Sequence, residues 1–138
     1  MKRAHALVFW MAISMLSAQT PPQATLHIYR YRLSVGTTAH PTVSCDMFPV
    51  VRTQNGRVYT MKVSAGRHSV TTVDNPTGIQ VDVEPGKEYF VRIDFSPNAT
   101  FKNGANPVLV PPEQGRMETL KLRPIDGQYI EDATCGRP

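Results

Sequence analysis

The 138-residue chain has two cysteines, one tryptophan and no apolar run long enough for a membrane-spanning helix. Such a helix takes about 20 residues, whereas the longest run, residues 6–16, has 11 and contains Ser14. Charge is scarce as well: 19% of the residues are charged, 15 basic against 11 acidic. The densest basic segment, Arg30-Tyr31-Arg32, holds two charges. That excludes the clustered cationic face that nucleic-acid binding needs, and the segment reads as a solvated strand edge. Catalytic and ligand motifs are missing too. There is no Gly-x-Ser-x-Gly elbow and no glycine-rich phosphate loop, since Gly66, Gly78, Gly86 and Gly104 are isolated turn glycines. There is no Cys-x-x-Cys and no pair of neighbouring histidines. The sequence therefore predicts no catalytic residue, no metal site and no cofactor, although a triad of residues distant in sequence stays open. Twelve prolines exclude a helical bundle, because proline breaks helix interiors.

What is present begins with a three-part export signal over residues 1–18. Lys2 and Arg3 form a positive n-region, residues 6–16 an apolar h-region, and Ser17-Ala18 the small residues a signal peptidase accepts. Cleavage is expected between Ala18 and Gln19. Leu16-Ser17-Ala18-Gln19 is a lipobox with Gln19 in place of the lipid-bearing cysteine, which predicts a soluble, unlipidated product without a membrane anchor. Losing the signal leaves 13 basic against 11 acidic residues and removes Trp10, the only tryptophan.

Cys45 and Cys135 both survive cleavage. An even count in an exported chain favours a disulfide, with a pair of free thiols as the alternative. The bridge would tie the C-terminal tail, residues 124–138, to the strand that holds Cys45.

Residues 19–23 read as a flexible leader. From there the chain alternates short β-branched or aromatic runs with turns. Strands are expected over 25–33, 42–45, 47–53, 57–63, 67–73, 79–83, 88–95, 108–110 and 118–122. Asn55-Gly56 marks a tight hairpin, and Glu84-Pro85-Gly86-Lys87 a type II turn. Seven to nine short strands, with turns recurring about every ten residues, predict an all-β fold, a single antiparallel sandwich over residues 24–123. Leu26 and Ile28 share one face of the first strand; His27, Tyr29, Tyr31 and Leu33 share the other. That aromatic stripe either forms a second core face or is the candidate surface for a ligand or partner. His40 reads as solvated and His68 as a surface or hairpin residue. Leu120 and Leu122 are expected to point inward. Asn98-Ala99-Thr100 matches a glycosylation sequon, relevant only in a eukaryotic host.

Residues 24–123 resemble the bacterial domain of unknown function 2846 family of small exported proteins, many of them lipoproteins. The resemblance rests on Ala24-Thr25-Leu26-His27-Ile28-Tyr29-Arg30, then Pro41-Thr42-Val43, then Ala65-Gly66-Arg67-His68-Ser69-Val70, and last residues 84–92 around Pro85-Gly86-Lys87-Glu88-Tyr89. It implies a transthyretin-like or Ig-like sandwich with no established activity and no catalytic residue to carry over. Two departures stand out: Gln19 replaces the lipid-bearing cysteine, and Asp46-Met47-Phe48-Pro49 replaces the usual glycine turn. The expectation is a non-enzymatic interaction or accessory module of the bacterial envelope, periplasmic or extracellular, with an envelope protein as partner. The alternatives are a small-ligand binding protein using His27, Tyr29 and Tyr31 or the loop over 96–106, and a hydrolase without a recognisable motif.

Overall fold

Period-two alternation shapes the chain from Gln23 onward. In β1 (Gln23–Tyr29), Ala24, Leu26 and Ile28 fall on one phase and are buried together. The structure is a computed structural model that describes residues 22–33, 38–95, 104–131 and 134–135. The export signal, its Ala18–Gln19 junction, the sequon and most of the 96–106 loop lie outside these residues. After β1 come β2 (Thr42–Cys45), β3 (Phe48–Arg52), β4 (Arg57–Ser64), β5 (Gly66–Thr72), β6 (Ile79–Val83), β7 (Glu88–Phe95) and β8 (Ala105–Val110). A helix, α1 (Pro112–Thr119), a two-residue strand, β9 (Arg123–Pro124), and a 3-10 turn over Gly127–Tyr129 complete the order.

The strands form a sandwich of two sheets, one ordered β8-β7-β1-β4-β9 and the other β3-β2-β5-β6. The fold is all-β, as the strand spacing predicts. The larger sheet is mixed rather than purely antiparallel: β1 runs parallel to β7, and β4 parallel to β9. β1 lies between β4 and β7, and the chain reaches β7 only after passing through the other sheet. It therefore returns in the direction of β1, and parallel neighbours need such a long crossover. Between the sheets, Leu26, Ile28, Val43, Val51, Met61, Val63, Val70, Val81, Val91 and Ile93 form the main core.

A second, smaller core lies on the outer face of the larger sheet, where Tyr29, Phe90 and Val110 are buried with Val58 and Leu122 packed against them. α1 covers this face and packs on β7. Proline at its first turn and Glu113 beside it suit a helix start. The segment 118–122 is thus the end of a helix and a turn, not a strand. Leu120 is 82% exposed rather than inward.

Turn chemistry holds where glycine is required: Gly56 has φ +68° in the predicted Asn55-Gly56 hairpin. The β2–β3 connection puts Asp46 (φ 50°) and Met47 (φ 72°) in the left-handed region, which favours glycine. The tail packs back on the sandwich. Ile125 N–H donates to Val58 O at 2.9 Å, Ile130 bridges to Val51, and Glu131 N–H donates to Val50 O at 3.0 Å. The last two contacts shield the edge strand β3. A disulfide joins Cys45 to Cys135, 90 residues apart with Cα atoms 5.1 Å apart, within the usual bridging range. Among the described residues no helix is long and apolar enough to cross a membrane.

Candidate functional site

The aromatic stripe is not an open face. Tyr29 is 1% exposed beneath α1, and its hydroxyl donates to the Glu118 carboxylate. Arg92 Nη1 reaches the two Glu118 oxygens at 2.8 and 3.1 Å, while Nε and Nη2 grip Asp94 at 2.7 and 3.0 Å. Arg92 is therefore covered by the helix rather than turned to water. Burial alone would raise the Glu118 pKa. Hydrogen bonds from Tyr29, Tyr31, Gln114 and Arg92 outweigh it and hold the carboxyl down at about 2. Burial, followed by the Glu118 contact, pushes the Tyr29 phenol up. Tyr31 lies past the strand end, 38% exposed and edge-on to Tyr29 at 6.3 Å. Tyr29 belongs to the second core under α1, and His27 is half-buried beside it, stacked on Phe90.

His27 stacks on Phe90 at 4.5 Å. Its Nδ1 lies 2.7 Å from Thr60 Oγ1 and its Nε2 3.2 Å from Glu88 Oε1. This hydroxyl–imidazole–carboxylate row spans β4, β1 and β7, so no local motif announces it. Glu88 is shared with Arg116 of α1 at 3.3 Å, which makes the row a strut between sheet and helix.

Other predicted surface residues are also inside. Arg30 follows the phase of Leu26 and Ile28 and is 1% exposed. Its guanidinium lies over the Phe95 ring at 4.4 Å and donates to Ala39 O at 2.7 Å; burial lowers its pKa to about 10. His40 is half-buried, stacked on Tyr129 at 4.6 Å. His68, in phase with Val70, is 6% exposed.

His68 anchors a cluster at the disulfide. Cys45 ends β2 and Asp46 follows it, and β5 runs beside them, with Cys45 paired to Val70. His68 Nε2 lies 2.6 Å from Ser64 O and Nδ1 2.6 Å from Asp46 Oδ2. Both neighbours offer acceptor oxygens, an arrangement that favours the doubly protonated ring. Burial works against the charged ring, but the bonds to Asp46 and Ser64 prevail and raise its pKa. Asp46 Oδ1 accepts from Ser69 N–H at 2.9 Å. The disulfide sulfur of Cys135 lies 3.6 Å from His68 Nδ1.

The third constellation is a cavity of about 480 Å³ at the end of the larger sheet, lined by Arg32, Asn55, Gly56, Arg57, Lys121, Leu122 and Arg123. Three segments make it: Arg32 beyond β1, the β3–β4 hairpin tip with Arg57, and the segment leaving α1. Asn55 clamps the strand end by exchanging hydrogen bonds with the Leu33 backbone, both at 2.9 Å. Arg57 Nη1 donates to Pro124 O at 3.1 Å. No carboxylate lines the cavity, and none of its four cations is ion-paired among the described residues. The sequence conceals this site, because Arg32, Arg57, Lys121 and Arg123 come from three separate segments. No protein-family model, curated protein or solved structure matches the chain, which leaves these side chains as the guide to its function.

Proposed function

We propose that the chain is an exported, disulfide-stapled sandwich that works by binding rather than by catalysis. The group it takes is an anion, a phosphate or carboxylate borne by an envelope partner, held in the cavity between the β3–β4 hairpin and the exit of α1. The observation that carries this reading is the gathering of Arg32, Arg57, Lys121 and Arg123 around one concavity with no acidic side chain in it. A cleft lined by one sign of charge concentrates counter-ions of the other. Three of the four are arginines, whose planar forks match phosphate and carboxylate oxygens two at a time. The aromatic face, buried under α1, offers no comparable surface.

Calorimetric titration of the oxidised exported protein with tripolyphosphate tests this. The expected result is saturable one-to-one binding that weakens several-fold as salt rises, because exposed charge pairs are screened. The pair Lys121→Gln and Arg123→Gln should reduce affinity about tenfold, the loss of roughly 1.4 kcal/mol of charge-assisted contact, with the unfolding midpoint kept. No saturable binding, or equal binding by the paired variant, would refute the proposal.

A further inference from the structure

We propose that the dithiol form of this chain holds a thiophilic divalent cation such as Zn²⁺, ligated by Cys45 Sγ, Cys135 Sγ, His68 Nδ1 and Asp46 Oδ2. This site is separate from the basic cavity and does not rest on it. The four ligand atoms all lie within 4.8 Å of one another. Cys135 Sγ stands 3.6 Å from His68 Nδ1 and 3.8 Å from Asp46 Oδ2. A tetrahedral zinc with bonds of about 2.0–2.3 Å sets its ligands about 3.3–3.8 Å apart. The His68 Nδ1–Asp46 Oδ2 separation of 2.6 Å is that of a hydrogen bond, which binding of the metal would replace.

The surroundings are those of a supported ligand set. His68 gives its Nε2–H to Ser64 O at 2.6 Å, the backbone-carbonyl contact that fixes the tautomer of metal-bound histidines. That leaves Nδ1 to face the metal. Ser69 N–H occupies Asp46 Oδ1 and turns Oδ2 inward. Asp46 N–H donates to Ser69 O at 2.9 Å, so the residue is tied to β5 from both its backbone and its side chain. This gives a reason for an aspartate to stand at φ 50°, where glycine is the easier residue. Cys45, His68 and Cys135 are buried, which shields the bonds from water. Two thiolates and an imidazole select zinc-like ions over magnesium or calcium, which prefer all-oxygen shells.

Metal and disulfide exclude each other, because the bridge uses both sulfurs. An external dithiol supplies two electrons and two protons: the Cys45–Cys135 bond breaks, both sulfurs become thiols, and the donor leaves as its own disulfide. The cation then displaces both thiol protons and the Nδ1 proton of the imidazolium, three in all. The tail thus has two alternative fasteners at one point, a covalent one under oxidising conditions and a coordinated one under reducing conditions.

Cobalt(II) titration of the exported protein, reduced with a phosphine under argon, tests the site. The expected result is one cobalt per chain, with visible bands of tetrahedral intensity and thiolate charge-transfer absorption, both bleached by one equivalent of Zn²⁺. Zinc should also slow alkylation of both cysteines. Asp46→Asn and His68→Gln should each weaken binding roughly tenfold or more. If either variant fails to fold when reduced, metal-induced recovery of the β-sheet circular dichroism reads the same affinity. Octahedral spectra, stoichiometry other than one, equal affinity in both variants, or equal binding by the oxidised protein would each overturn the proposal.

Discussion

Glu118 joins α1 to the sheet through groups from β1 and β7, and its carboxyl is held at about 2, well below the ordinary 4.5. A carboxyl with a depressed folded pKa stabilises the fold above its unfolded value and loses that contribution as pH falls toward the folded one. Stability should therefore drop between about pH 5 and pH 2, by up to about 3 kcal/mol from this residue. Urea unfolding at a series of pH values measures the slope. Glu118→Gln should cost about 1–3 kcal/mol near neutrality, since Tyr29 and Arg92 lose a charged partner, and should flatten the acid limb. An unchanged limb would place the acid sensitivity elsewhere. The side chains that matter here were partly legible in the sequence. Arg30 shares the phase of Leu26 and Ile28, and His68 that of Val70, so alternation already places both inside. Their polar character argues the other way, and partners such as Ala39 and Phe95 for Arg30, and Asp46 and Ser64 for His68, make burial tolerable.

At the scale of elements, local signals located the strands well and the helix poorly. β4 and β6 alternate without a break, and β7 runs to the expected residues. α1 has eight residues and one buried position, Gly115, so it lacks the apolar stripe that reveals an amphipathic helix. Besides the polar contacts of Glu118 and Arg116, it packs on the sheet by setting the Gly115 backbone against Phe90. A Cβ added at Gly115 would lie 2.2 Å from Phe90 Cγ, with two further ring-side atoms within 2.6 Å. Gly115→Ala gains helix propensity, worth up to about 1 kcal/mol, yet must push α1 off Phe90. Overpacking of this kind costs about 1–3 kcal/mol, so the net expected outcome is destabilisation. It should come with easier ionisation of the Tyr29 phenol in a spectrophotometric titration. A more stable Gly115→Ala variant, with Tyr29 still protected, would mean that the helix does not depend on this close approach. The parallel β1–β7 pairing had no local signature either. It follows from β1 lying mid-sheet, a relation between segments about 60 residues apart.

For the whole molecule, the export reading predicts that the secreted protein shows tyrosine-only emission, since Trp10 lies before the cleavage point. Tryptophan emission from secreted material would mean that the signal is retained. The disulfide then sets how the tail behaves. It closes a separation of 90 residues, and the chain-entropy account assigns such a loop about 4–5 kcal/mol. A sandwich of about 100 residues has a total stability of only about 5–15 kcal/mol, so the bridge is a large share of it. Replacing both cysteines with alanine removes the staple and the metal ligands together, and leaves no buried thiol to reoxidise. The expected result is a lower urea midpoint with a larger share of the loss in the tail. The Glu131 amide, bonded to Val50 O, should exchange early, and Val50 and Val51 of the uncovered β3 edge should follow. The amides of β1 and β7 should keep their order of protection, because these strands pair with each other, β4 and β8 rather than with the tail. If the midpoint and the Glu131 exchange rate both match the parent protein, the tail holds its place by packing alone and the bridge is not what stabilises it.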